Sequence, residues 1–515
     1  MEDGGQAQRA WASNPPTAFI FLITVFAFFL PILIYFPPFP PFRRDALLET
    51  HVQVGIQHPS ESGLRKSTQK HNAGRSVPVT AEGTARNNAK DGVEETPKTS
   101  TDGGRIRSLW IYPIKSCRGI ELRQSRVLPT GLEFDRLYMF AQLRSPFPAP
   151  SSPSADGSGP VEHTWHFITQ RQFPLLATVQ VDLFVPKGEA DSDKAASGAF
   201  LLVRFPWKER GLRGVLESAA AKLSRGWRAQ PEKEFVLPVA FPVGSSSSRS
   251  PSPVPPGSGQ ESDAEEGEDV EIEDRRPRGY THEKVTIWRD TVSALNMEAE
   301  LPRELRLYLG VSNRLGLFRV DPARLREVRR CAPTPAEAGY QPVAGFQDAY
   351  PLHLLNLKSV RDFDAKIDKD KDLQELDPRR FRANIIVDNN DYSSPYDEET
   401  WKKIRFTSEP GNRKESNGSN DKKLVPSTFH VSCRTVRCKM PNVDQDSGYR
   451  HPVQPDKALR KFREVDEGAK RMGCLGMQVT PLFTNPGLPE GRKSWVEVGM
   501  SVEVLERGHH VYILQ

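Results

Sequence analysis

Large apolar content is missing from this sequence. Hydrophobic residues are 37% of its 515 residues, and 44 residues are proline, so much of the chain cannot pack and the core must be concentrated in a few stretches. A basic stripe is missing too. The formal charge is only +5, the Lys and Arg residues are scattered, and no aromatics interleave with them, so no nucleic-acid partner is expected. Cysteine is sparse. Cys117, Cys331, Cys433, Cys438 and Cys474 are odd in number and form no CxxC pair; a disulfide framework and a zinc knuckle are both disfavoured, and free thiols in a reducing compartment fit best. There is no Gly-rich dinucleotide fingerprint, so the chain is not expected to bind NADH itself. No internal repeat is evident.

What the sequence does hold begins with an uncharged run from Thr17 to Phe36. About 20 such residues can span a bilayer as a helix, so residues 17–36 are expected to be an uncleaved transmembrane anchor. No small-residue cleavage motif follows it, and Arg43 and Arg44 after it place the carboxyl-terminal part in the cytosol. Residues 45–104 are polar and read as a disordered tether. Four further stretches, 145–160, 186–198, 243–279 and 409–423, are Ser/Pro/Gly-rich or charged and read as disordered inserts.

Between these inserts the pattern is mainly β with some α. Strands are expected at Ile106–Tyr112, Leu122–Leu128, Tyr138–Leu143, Trp165–Thr169, Leu176–Val185, Phe200–Phe205 and Val285–Trp288, then a helix at Leu301–Leu309. The second half offers strands at Leu352–Leu357, Phe381–Val387 and Phe429–Arg434. It also offers a helix capped by Ser359, another at Lys457–Phe462, and two last strands around Gly508 within 496–514.

Two short motifs carry the chemistry. One is Tyr112 to Gly119 (YPIKSCRG), followed by Gly131, Asp135 and Arg136; the other is Arg437–Cys438, followed by Asp444, Asp446 and Gly448. Phe381 to Asn384 (FRAN) lies between them. In this order they resemble the MOSC family, molybdenum-cofactor proteins related to the mitochondrial amidoxime-reducing component. The resemblance implies an N-terminal MOSC β-barrel domain over 105–330, a barrel-like MOSC domain over 331–515, and a cofactor in the cleft between them. It makes Cys438 the molybdenum ligand, a role suited to a soft thiolate. It assigns Lys115 and Ser116 to the pterin phosphate and Arg136 to the cofactor's surroundings, and adds Arg171, Arg382, Asn384 and Arg437 as contacts. The bland alternatives are an Asp135–Arg136 ion pair, a strand-edge salt bridge for Arg171, and a solvent face for Arg382 and Asn384, which a strand would turn to one side together. Cys117, Cys433 and Cys474 read as packing. Asp444 and Asp446 read as an Asx turn ahead of acid–base work. Where the family has a Ser/Thr-rich turn, this chain has Asp348, Ala349 and Tyr350, leaving Tyr350 as the hydroxyl there.

The resemblance implies a membrane-anchored oxidoreductase that uses the molybdenum–molybdopterin cofactor (Moco) to reduce small N-hydroxylated substrates. Electrons would come from cytochrome b5 and its NADH-dependent reductase. The implied location is a single-pass membrane protein of the mitochondrial outer membrane, ahead of the endoplasmic reticulum. The alternative is a non-redox MOSC protein that carries sulfur for cofactor maturation.

Overall fold

The computed structural model describes residues 15–35, 43–64, 104–145, 163–188, 198–242, 279–388, 394–408, 426–484 and 493–513. The central parts of the four expected inserts, and residues 65–103 of the expected tether, lie outside these. The chain divides into a small unit drawn from 1–52 and 208–231 and a large unit drawn from 53–207 and 232–515.

In the large unit, five strands close into a barrel: Tyr138–Arg144, Thr164–Phe167, Thr281–Ile287, Asp290–Asn296 and Leu315–Arg319. Alternate residues such as Met139, Ala141, Val285, Ile287 and Phe318 fill one cluster, as a period of two requires. Trp165 meets Phe318 edge-on at 5.3 Å. Gly316 is needed beside them, because a Cβ there would lie 2.8 Å from the Trp165 ring. The Ile287–Asp290 hairpin turns through Trp288, whose φ of 56° is unusual for so bulky a residue.

A larger sheet of eight strands closes on itself through an additional pairing. Its staves are Ile385–Asp388, Leu352–Asn356, Cys474–Leu482, Ser427–Val436, Trp401–Thr407, Ser501–Arg507 and Arg105–Ile111, with Ile120–Leu122 appended. Arg105–Ile111 closes the ring. It pairs Leu109 with Ile385 on one side and Arg105 with Ser501 on the other. An early strand thus completes a barrel otherwise built from the second half of the chain. Trp401, Phe406 and Phe429 are fully buried in its core.

Several local expectations change. Residues 176–185 split into a short 3-10 turn, Pro174–Thr178, and the strand Gln180–Pro186, because Pro174 starts a turn. Asn356, not Ser359, caps the helix Leu357–Asp364, its side chain accepting from Lys358 N at 3.1 Å. Ser359 is buried and donates to Glu398 Oε2 at 2.9 Å. The last two strands are Ser494–Glu497 and Ser501–Arg507, both before Gly508.

The amino-terminal expectations need correction. Pro15–Tyr35 forms a helix. No helix among the described residues is long and apolar enough to cross a membrane. The expected transmembrane anchor, and with it the single-pass placement in the mitochondrial outer membrane with a cytosolic carboxyl-terminal part, is overturned. The start of the expected tether is also ordered. Ile56 N donates to Glu121 O at 2.8 Å, Gly63 N donates to the Glu121 carboxylate at 3.1 Å, and Leu64 is buried against the cluster that holds Leu355 and Phe381.

Candidate functional site

A cleft of about 550 Å³ in the large unit is lined by residues from both barrels. Seven Lys or Arg side chains reach it against two Asp, so it favours a polyanion.

Four of its residues hold left-handed backbone: Ser116 (φ 69°), Arg136 (φ 49°), Trp288 (φ 56°) and Arg382 (φ 53°). Such outliers persist only where their surroundings fix them, and here the two N-terminal turns fix each other. Arg136 N donates to Tyr112 O at 2.9 Å, Tyr112 N to Asp135 Oδ1 at 2.8 Å, and Lys115 N to Tyr138 O at 2.8 Å. The Asp135–Arg136 ion pair exists, at 2.6 Å, yet Arg136 still lines the cleft. Its guanidinium lies 4.5 Å from the Tyr112 ring centre, and that of Arg382 lies 4.1 Å from the same ring. Tyr112 is therefore a rail that sets two arginines beside each other.

Lys115 is buried and donates to Phe346 O at 2.7 Å and Asp348 Oδ1 at 2.6 Å. Burial lowers its affinity for a proton, and Asp348 opposes that. The Asp348 side chain is 51% exposed, and despite the water it loses, its ion pair with Lys115 holds the carboxyl below the ordinary carboxylate range. Trp288 Nε1 also donates to Asp348, at 3.1 Å. Arg171 stacks on Trp288 at 4.2 Å and has no carboxylate partner among the described residues, so the strand-edge salt bridge is absent there.

Arg382 and Asn384 do not alternate along a strand. Arg382 ends the 3-10 turn Pro378–Phe381, and the strand starts only at Ile385. Both nevertheless line the cleft. The Asn384 amide is engaged by backbone, donating to Trp110 O at 3.1 Å and accepting from His353 N at 3.2 Å. Arg382 is buried and donates only weakly, to Gln445 Oε1 at 3.4 Å; burial brings its guanidinium down to about 10. Arg437 donates to Phe381 O at 3.0 Å and is likewise lowered by burial. Cys438 follows it at the end of Ser427–Val436, half-buried and lining the cleft.

Among the described residues, the buried polar atoms Ser116 Oγ, Arg382 Nη2, Arg437 Nε and Thr435 Oγ1 have no hydrogen-bond partner, and all four residues line this cleft. Leaving such a group unsatisfied costs about 1–3 kcal/mol each. Their convergence fits an anionic, hydrogen-bonding ligand. Among the described residues, no group of three or more His, Cys, Asp or Glu could hold a metal ion. Cys438 could therefore bind a metal only if the other ligands arrived with it.

The remaining residues divide clearly. Asp444 accepts from Ser447 N, Ser447 Oγ and Asp446 N, and pairs with Arg380 at 2.9 Å. Asp446 pairs with Arg379 and Arg118. Both carboxylates build the turn. Tyr350 lines the cleft, but its hydroxyl donates to Arg330 O at 2.8 Å. Sequence reading missed Trp288, Asp348, His353, Thr435 and Gln445. Burial and the neighbouring Arg437 and Arg136 keep His353 neutral. Gln445 links the turn to Gln170 at 3.0 Å, and Gln170 holds Ser116 O at 2.7 Å. A Gln inside an Asp-flanked turn gives no local signal of such a distant partner.

Known families match the two parts of the chain in the same order. Residues 103–197 match the MOSC N-terminal beta barrel domain, and residues 341–503 match the MOSC domain. The chain is also similar to mitochondrial amidoxime reducing component 2 of Rattus norvegicus, 22% identical over 385 residues, covering 74% of this chain and 77% of that protein. The order of the two motifs, the two closed barrels and both matches agree: the chain belongs to the MOSC domain family, with a MOSC N-terminal barrel ahead of its MOSC domain.

Proposed function

We propose that the cleft holds a molybdenum–molybdopterin cofactor and that the protein is an oxidoreductase. The observation that carries this reading is the set of buried, unpartnered donors on Ser116, Thr435, Arg382 and Arg437 beside the half-buried Cys438 thiol. Arginine donors suit phosphate and carbonyl acceptors, and a thiolate suits a soft metal. The bound cofactor would supply the two-electron redox change and an acceptor for oxygen.

The chain's own residues have separable roles. Cys438 would ligate the metal. Arg382, Arg437 and Ser116 would hold the anionic cofactor, and Arg136 keeps Arg382 in place through Tyr112 and through its 3.3 Å bond to Arg382 O. Lys115 arrives already paired with Asp348, so it adds less net charge than a free lysine would.

The finer proposal follows the likeness to the amidoxime reducing component: the substrate is a small N-hydroxylated compound, and electrons arrive from cytochrome b5 and its NADH-dependent reductase. Metal analysis of the purified chain, together with amidoxime reduction from an artificial donor, tests both levels. About one molybdenum per chain with reduction supports the proposal. Molybdenum without reduction leaves only the cofactor reading. A persulfide on Cys438 with no molybdenum would favour the sulfur-carrier alternative. Adding cytochrome b5 and its reductase should then let NADH drive the reaction.

A further inference from the structure

Away from Cys438, two other cysteines meet. Cys433 lies on Ser427–Val436 and is fully buried. Cys331 lies in a turn with φ 51° and is only half-buried. Cys331 packs against the small cluster of Cys433, Val328, Ala344 and Tyr350, and its thiol donates to Val511 O at 3.5 Å. Apolar packing explains Cys433 alone. It does not explain a second thiol placed against it on a turn that solvent reaches.

We propose that Cys331 and Cys433 are a reversible dithiol–disulfide pair, oxidised by hydrogen peroxide. Cys331 is the attacking sulfur, because it is the accessible one. It attacks a peroxide oxygen, the O–O bond breaks, and the leaving oxygen departs as water, leaving a sulfenic acid on Cys331. Cys433 sulfur then attacks Cys331 sulfur. The S–S bond forms, the S–O bond breaks, and the hydroxide leaves as water with the Cys433 proton. Two thiols lose two electrons and two protons, and the peroxide becomes two waters. A dithiol reductant reverses the change.

The electrostatics support this division of labour. The neighbouring Cys433 thiol brings the Cys331 thiol down to about 6, and the nearness of Cys331, with burial, pushes Cys433 well above its ordinary value. A low thiol paired with a high one is the arrangement of an attacking and a resolving cysteine. The pair also sits behind the cleft. Tyr350 belongs to the same cluster and lines the cleft, and Tyr512, next to the Val511 carbonyl that Cys331 holds, lines it too. Oxidation removes the Cys331 proton that bonds Val511, so the change would reach the cleft wall.

The test is peptide mapping of the full chain after titration with hydrogen peroxide, alkylation of remaining thiols and non-reducing digestion. The expected result is a Cys331–Cys433 linked peptide that disappears after dithiothreitol. In Cys433→Ser, dimedone should label Cys331; in Cys331→Ser, Cys433 should stay reduced at the same dose. Should Cys433→Ser not fold, wild-type mapping and Cys331→Ser still decide. The proposal is overturned if Cys331 goes only to sulfinic acid, if it pairs with another cysteine, or if both thiols are still alkylated at peroxide doses that oxidise the other half-buried cysteine, Cys438.

Discussion

Two groups of buried arginines in the large unit are built in opposite ways. Arg434 and Arg463 share Glu399: Arg434 Nε meets Glu399 Oε2 at 3.0 Å, Arg463 Nη2 meets Glu399 Oε1, and Arg434 also bonds Asp466 at 3.2 Å and His510 O at 2.8 Å. Burial opposes the Arg434 charge, but these carboxylates raise its proton affinity above the ordinary value. Arg382 and Arg437 also lose water but, among the described residues, pair with no such carboxylate, and burial lowers both. A buried cation that supports a fold comes with its counter-ion. A buried cation left short of partners at a cleft is kept for an anion that binds later.

The largest expected effect breaks the paired group. Among the described residues, Glu399→Ala leaves the Arg463 guanidinium with the Cys474 carbonyl at 3.2 Å and the Tyr396 ring at 3.6 Å, and should cost about 3–5 kcal/mol, as removing one partner of a buried pair does; urea denaturation measures it. Next comes the neighbouring carboxyl. Glu398 is fully buried and, among the described residues, accepts from the neutral donors Asn356 at 2.8 Å and Ser359 at 2.9 Å, so burial raises its carboxyl from 4.5 to about 7. A folded-state value above the unfolded one gives stability that is full below pH of about 4.5 and is lost as pH rises through about 7. That change amounts to roughly 3 kcal/mol. Glu398→Gln should flatten this slope in melts at several pH values and leave the protein the more stable of the two at pH 8.

A smaller effect is expected in the cleft itself. Arg382→Ala should lower cofactor retention by about ten- to a hundredfold, from a charge-assisted bond of about 1.5–3 kcal/mol, without lowering the melting temperature. Equal losses of stability in Arg382→Ala and Glu399→Ala would erase the distinction between the two groups. The smallest effect belongs to Asp446→Asn. Its side chain is 56% exposed, so losing its arginine partners should cost at most about 1 kcal/mol and leave turnover unchanged.

The comparison also explains what the sequence could reveal. Lys115, Ser116, Arg136 and Cys438 sit in short motifs whose local turns bring them into the cleft, and strand alternation marked most barrel staves. Cys474–Leu482 escaped notice because Gly476 and Pro481 interrupt its pattern. Gly476 is required there, since a Cβ would lie 2.4 Å from His353 Nε2. Arg382 was legible as a cleft residue but not as left-handed backbone, and Ser359 looked like a cap although its partner, Glu398, lies in a distant turn. The same limit applies to Asp348, Gln445 and the Glu399 cluster. Their partners are set by the barrel pairings, and nothing in neighbouring sequence announces them.

The central claim is that Cys438 ligates molybdenum in a cleft whose unpaired donors hold the rest of the cofactor. X-ray absorption at the molybdenum edge tests it most directly, on the purified wild type and on Cys438→Ser. The account predicts a molybdenum-loaded wild type and, in the variant, one sulfur neighbour fewer with an oxygen in its place and turnover lower by about a hundredfold or more. Identical sulfur coordination in the two proteins, or a folded wild type that takes up no molybdenum when supplied with the cofactor, would contradict it.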